Sequence, residues 1–187
     1  MRRAVIAPLI VTLALSSLAG CGKSSKSSSS KTRLQGVKTF SDLSNSHKNG
    51  HLTYPQSPPV GGAHAPAWLK CAVYTEQPPN ETAVHSLEHG AVWITYQPDL
   101  AASDVATLAK LDAVNPDYML ISPYAGQPAR VMATAWGFQL SVDSATDPRL
   151  EAFAKAYAGG GQGGEQGADC AGRGLSIEQS QQFINRG

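Results

Sequence analysis

The chain has 187 residues and a formal net charge of +1, from 15 Lys and Arg against 14 Asp and Glu. That near-neutral balance, with no basic stripe interleaved with aromatic side chains, excludes the electrostatic footprint of a nucleic-acid binder. The length supports one domain with a real core.

Arg2 and Arg3 form a positive region, Ala4 to Leu15 is nearly free of polar groups, and Leu18-Ala19-Gly20-Cys21 brings small residues up to a cysteine. This order reads as a secretory signal peptide over residues 1–20. It resembles the bacterial lipobox, in which the new terminal cysteine carries diacylglycerol and further acyl chains such as palmitate. Cys21 is the expected lipidation site, and the expected location is the extracytoplasmic face of the cell membrane. Two or three acyl chains, at ~0.8 kcal/mol per buried methylene, anchor durably. An uncleaved transmembrane anchor is the competing reading; the apolar stretch is shorter than the roughly 20 residues that a span needs, and Pro8 interrupts it.

Residues 21–31 contain the run KSSKSSSSK, which has nothing to bury and reads as a disordered tether. About ten such residues reach roughly 17–19 Å as a flexible coil. Loss of Arg2 and Arg3 with the signal would take the net charge from +1 to −1. Residues 32–187 are expected to form a single soluble domain, with the membrane met only through lipid.

Within that domain, residues 41–80 are dense in breakers: Asn49-Gly50, Pro55, Pro58-Pro59, Gly61-Gly62, Pro66 and Pro78-Pro79. They predict an ordered, irregular wrap, with room for a short helix near Ser41 to Lys48. Asn80 reads as the N-cap of a helix from Glu81 to His89, with Gly90 suited to the position after its end. Ala91 to Tyr96 reads as a strand. Ser103 reads as the cap of a helix from Asp104 to about Val114, whose Val105, Leu108, Ala109 and Leu111 have helical spacing.

Tyr118 to Ser122 reads as a strand ended by Pro123, and Arg130 to Val142 as one longer strand with a bulge at Gly137. Asp147-Pro148 opens a helix to about Tyr157. Gly159 to Gly167 reads as a flexible loop, and Ser176 to Asn185 as a polar helix anchored by Ile177, Phe183 and Ile184. The order predicts an α+β domain: a small three- to four-stranded, at least partly antiparallel sheet with packed helices after the irregular wrap. The glycine loop near residue 160 has neither the lysine nor the flanking strand of a phosphate cradle.

With Cys21 acylated, Cys71 and Cys170 are an even pair in an oxidising compartment, and the leading reading is a disulfide. A Cys71 thiolate serving a metal or redox chemistry is the alternative, weakened by the absence of Cys-x-x-Cys.

The sharpest chemical signal is His85-Ser86-Leu87-Glu88-His89. Residues four apart share one helix face with β-carbons about 5–6 Å apart, so two imidazoles can converge on one cation. His64 and His51, in the stiff wrap, are the expected third and fourth ligands, and His47 is set aside as tether-proximal. Glu88 is expected outside the ligand set or at its edge, orienting a ring. Imidazole suits zinc, copper, nickel and iron, and an all-nitrogen set favours zinc or copper(II).

A structural cluster is the bland alternative, since a helix carboxyl end favours histidine through its dipole. A zinc-dependent hydrolase is another, because His-x-x-Glu-His is the inverted zinc-peptidase motif with the glutamate as general base. Glu88 would be that base, and an acidic ligand would have to come from Glu151, Glu165 or Glu178. Gly90, which ends the helix at once, counts against this. Trp93, Trp136, Met119 and Met132 read as core, while Trp68 and Tyr74 flank Cys71 and are placed to cover the histidines.

His51, Tyr54, Pro58-Pro59, Gly62, His64, Trp68, Cys71, Tyr74 and the block from Ala83 to Trp93 together resemble a family of bacterial secreted and lipoprotein domains known as domain of unknown function 3105. A weaker match runs through Ser122-Pro123, Ala135-Trp136-Gly137 and Asp147-Pro148 to Cys170. Ala72 departs from the pattern, where similar proteins tend to have glycine. The resemblance implies an exported or lipid-anchored domain and no established activity.

Overall fold

Five consecutive residues buried on both faces make Val92–Tyr96 (β2) an interior strand in a computed structural model that describes residues 34–165, 168 and 170–187. Strand β2 pairs in parallel with Met119–Pro123 (β3) and antiparallel with Val131–Ala135 (β4). Strand β4 pairs antiparallel with Phe138–Val142 (β5), and Lys38–Thr39 (β1) borders β5 antiparallel. The sheet order is β1-β5-β4-β2-β3. Among the described residues four helices pack on it in an α+β arrangement, and the sheet has five strands rather than three to four.

The extra strand count has two sources. Gly137 holds φ +74°, a region open to glycine, and the chain reverses there, so Ala135 faces Phe138. What reads as one bulged strand over 130–142 is a hairpin. Strand β1 has only two residues, too few to carry an alternating pattern.

The helices are Asn80–Glu88 (α1), Ala102–Ala109 (α2), Pro148–Tyr157 (α3) and Ile177–Ile184 (α4); α2 continues as a 3-10 turn over Lys110–Val114. The Asp147 side chain accepts from the Arg149 N–H, and Ser176 forms a reciprocal capping box with Gln179. The other two expected caps are not formed. Pro79 precedes α1, whose first residue, Asn80, accepts instead from the Tyr124 hydroxyl at 3.1 Å. Ser103 lies inside α2, where its carbonyl accepts from the Thr107 hydroxyl. The short helix expected near Ser41 to Lys48 is not formed: residues 41–46 are irregular, with Asp42 at φ +59°.

Period-two alternation splits the apolar side chains between two layers. Ile94, Met119, Ile121, Val131 and Leu140 face α2 and α3, where Leu108, Leu150 and Phe153 cover them. Trp93 and Leu120 face the other way, against Val84 and Leu87 of α1, Leu69 of the wrap and Ile177 of α4. Met119 and Met132 are core residues, and Trp93 is fully buried, donating to the Ser122 hydroxyl at 2.9 Å.

The wrap is tied down by its backbone: Ala65 N–H donates to the Glu81 carbonyl, Leu69 to Thr82, Lys70 to Leu175 and Tyr74 to Ile121. Cys71 and Cys170 are joined in a disulfide across 99 positions of sequence, a closure of the size that stabilises by ~4–5 kcal/mol in the chain-entropy view. Among the described residues no helix is long and apolar enough to cross a membrane. Residues 1–33, on which the expected signal peptide, the expected lipidation site Cys21 and the expected tether fall, lie outside the described residues.

Candidate metal centre

Helix α1 stops where its sequence says it should. Gly90, at φ +101°, donates to the Leu87 carbonyl while Ala91 donates to the Ser86 carbonyl, the paired bonds of a Schellman end. A β-carbon on Gly90 would lie 2.6 Å from the Gly160 carbonyl oxygen, so only glycine fits. His85, Glu88 and His89 are thereby fixed at the end of the helix. All three are buried, as is His64, which has no exposed surface. Four ionisable groups in one interior are costly unless each finds a partner.

The rings are oriented by the wrap. The Gly61-Gly62 turn passes under Trp136, whose ring would meet a β-carbon on Gly61 at 3.1 Å. His64 Nδ1 then donates to the Gly62 carbonyl at 2.7 Å, and His85 Nδ1 donates to the Ala65 carbonyl at 2.6 Å. A carbonyl only accepts, so both Nδ1 atoms carry the proton and a neutral ring keeps its lone pair on Nε2. His64 Nε2 lies 2.9 Å from Glu88 Oε2. Two lone-pair carriers meet there, and such an approach is held by a proton on one of them or by a cation.

His47 completes this group through its backbone. Lys48 donates to the His64 carbonyl at 2.7 Å and His64 donates to the Ser46 carbonyl at 3.1 Å, which sets the two chain segments side by side. The His47 ring stacks on His85 at 4.9 Å, and its Nε2 is 3.7 Å from Glu88 Oε2. One ligand atom from each of His47, His64, His85 and Glu88 lies within 4.8 Å of the others.

A second group adjoins the first. The glycine loop packs closely: Gly159 donates to the Gly90 carbonyl at 2.9 Å, and a side chain on Gly163 would collide with the Glu88 backbone. Its described part, 159–165, is thus docked on the end of α1 and carries Glu165 over the histidines. Glu165 Oε2 is 3.0 Å from His89 Nε2 and 4.0 Å from His85 Nε2. His85, His89 and Glu165 form the second set of mutually close ligand atoms.

Burial, and then repulsion from His89, His64 and His47, lower the His85 pKa to about 4 against the opposing pull of the Ala65 carbonyl. His85 is therefore a neutral base at neutral pH. Trp68 covers this end, its ring 4.8 Å from His89 and 5.8 Å from His85, and the edge of Trp136 meets His64 at 5.6 Å. Tyr74 does not join the cover; its hydroxyl donates to the Lys70 carbonyl.

His51 is not brought to this centre. Leu52 N–H donates to Glu81 Oε1, which pins that part of the wrap at the opposite end of α1, and His51 Nε2 faces Asn185 Oδ1 at 3.1 Å. His47, set aside on sequence grounds, stands in the group instead. No local pattern announces it, because a pairing between distant segments places it. Of the three acidic residues weighed as ligands, Glu165 arrives, while Glu151 pairs with Lys155 and Glu178 with Gln182. Glu88, expected at the edge, lies within hydrogen-bond reach of His64 and inside the ligand group.

A family model described as a protein of unknown function, DUF3105, matches residues 46–172. No curated protein and no solved structure matches the chain.

Proposed function

Because the chain belongs to the DUF3105 family of proteins of unknown function, its chemistry has to be read from its own site, and we propose that it binds a transition-metal ion through the histidine cluster. One observation carries the reading. Two buried imidazoles donate Nδ1–H to carbonyls of the wrap and keep their remaining nitrogens for the interior that Glu88 also enters. Metal-binding histidines are commonly oriented by such a bond from the second ring nitrogen. Three imidazoles with one carboxylate suit zinc, copper(II), nickel or iron, whereas calcium and magnesium want oxygen ligands.

The role that fits is binding, scavenging or delivery outside the cytoplasm, from a lipid anchor at Cys21. The full chain, purified without a histidine tag and equilibrated with zinc, copper(II) or nickel, should retain stoichiometric metal by elemental analysis. His85→Ala should lose it. Retention of no ion by the wild type would leave the cluster as packing in an envelope module. Cys21→Ala should release the protein from membranes or leave it unprocessed; unchanged retention and processing would remove the anchor.

A second reading has its own support. His85, His89 and Glu165 are the two-histidine, one-glutamate set of many catalytic zinc sites, which leave a position open for water. Glu88 would then be the general base. In that case Glu88→Gln keeps the metal and abolishes hydrolysis; a substrate turned over equally by both forms would end this reading.

A further inference from the structure

The two ligand groups share a residue but differ in completeness. His47, His64, His85 and Glu88 offer four ligand atoms, enough to close a tetrahedral site; His85, His89 and Glu165 offer three, which leaves a position open. His85 belongs to both. Its Nδ1–H is committed to Ala65, so only its Nε2 can bind metal, and one lone pair serves one ion at a time.

Resting on the metal-binding reading above, we propose that the two groups are alternative positions of a single ion: a closed holding position and an open exchange position, with His85 as the ligand that stays attached while the ion moves. Movement needs only that His47, His64 and Glu88 let go as His89 and Glu165 take hold. Each group has one exposed ligand, His47 at 43% and Glu165 at 46%, so ligand number sets them apart: three ligands leave a coordination position that a chelator or acceptor can take, and four leave none. The docked glycine loop holds Glu165 in place. Exchange by ligand substitution at an open coordination position then replaces release of a bare ion into water. The step is a substitution of ligands only, with no change of oxidation state.

The experiment is a pairing of equilibrium and rate on the full chain loaded with zinc, using a coloured pyridylazo chelator as acceptor. Wild type should hold one ion. Glu165→Gln should slow transfer to the chelator by about tenfold or more while changing the equilibrium affinity much less, within about threefold. His89→Ala should repeat that split. His64→Ala should weaken affinity by roughly a hundredfold and speed transfer, because only the three-ligand group remains. Retention of two ions together would overturn the shared-ligand proposal and leave metal binding intact. Equal losses of affinity in Glu165→Gln and His64→Ala, with rates following affinity, would show one composite site and also overturn it. Failure of wild type to bind zinc, copper(II) or nickel would instead remove the underlying reading. Far-ultraviolet circular dichroism of each variant keeps loss of fold separate from loss of binding.

Discussion

The two faces of the sheet are built from opposite materials. Helices α2 and α3 close one face over a layer whose buried members, Ile94, Met119, Ile121 and Phe153 among them, are apolar side chains packed on one another. The face under α1 buries His64, His85, Glu88, Ser86, Thr134 and Gln139 beside its apolar residues, and it alone carries the disulfide. The first face supplies cohesion without direction. The second must hold each polar group to a partner within a few tenths of an ångström, and the irregular wrap supplies those partners through backbone carbonyls that a regular helix would have used itself.

Opening the disulfide is the largest test of that contrast. Replacing Cys71 and Cys170 by Ser should cost about 2–5 kcal/mol in urea unfolding, and should also weaken metal retention, since the wrap carries His47 and His64. An apolar cavity should act differently. Phe153→Ala should destabilise by ~3–5 kcal/mol and leave zinc stoichiometry unchanged in whatever protein stays folded. Loss of zinc from the folded fraction would mean that the faces are not separable.

Acid between pH 6.5 and 4 probes His85 on the polar face. The folded His85 pKa, about 4, lies below the ordinary value of 6.5, so the unfolded chain binds the extra proton first. Its contribution is complete above pH 6.5 and falls as pH drops toward 4, by at most roughly 3 kcal/mol. Metal-free His85→Gln should lose stability less steeply than wild type across that window; parallel slopes would assign the decline elsewhere. The smallest effect is expected at the opposite end of α1. His51→Ala removes an exposed ring 3.9 Å from Glu81, and should change stability by less than about 0.5 kcal/mol and zinc affinity not at all.

What could be read from sequence follows the same division. Helix α1, its glycine end, the His85/His89 pair and the Asp147-Pro148 start are written in adjacent residues, where capping and helical spacing act. The cysteine pair is legible by counting. The hairpin at Trp136-Gly137 escaped because alternation continues across it with no Asn-Gly or Asp-Gly to mark the turn. His47 escaped for a different reason: its place depends on two hydrogen bonds to residues around His64, and nothing near position 47 encodes them. His51 and His64 look alike in sequence, both in a breaker-rich wrap, and the side chain of Glu81 holds one away from the other's end of the helix.

Trp68 and Trp136 flank the histidines from two sides, while Trp93 lies in the core bonded to Ser122. The protein thus contains its own optical reporter. A paramagnetic copper(II) ion held among these imidazoles would sit within contact range of two indoles and darken their emission, whereas closed-shell zinc would leave it lit. Titration with copper, followed by zinc competition, would read occupancy from native fluorescence with no label attached, and Trp68→Phe would separate the light of the half-buried indole beside His89 from that of the wall beside His64.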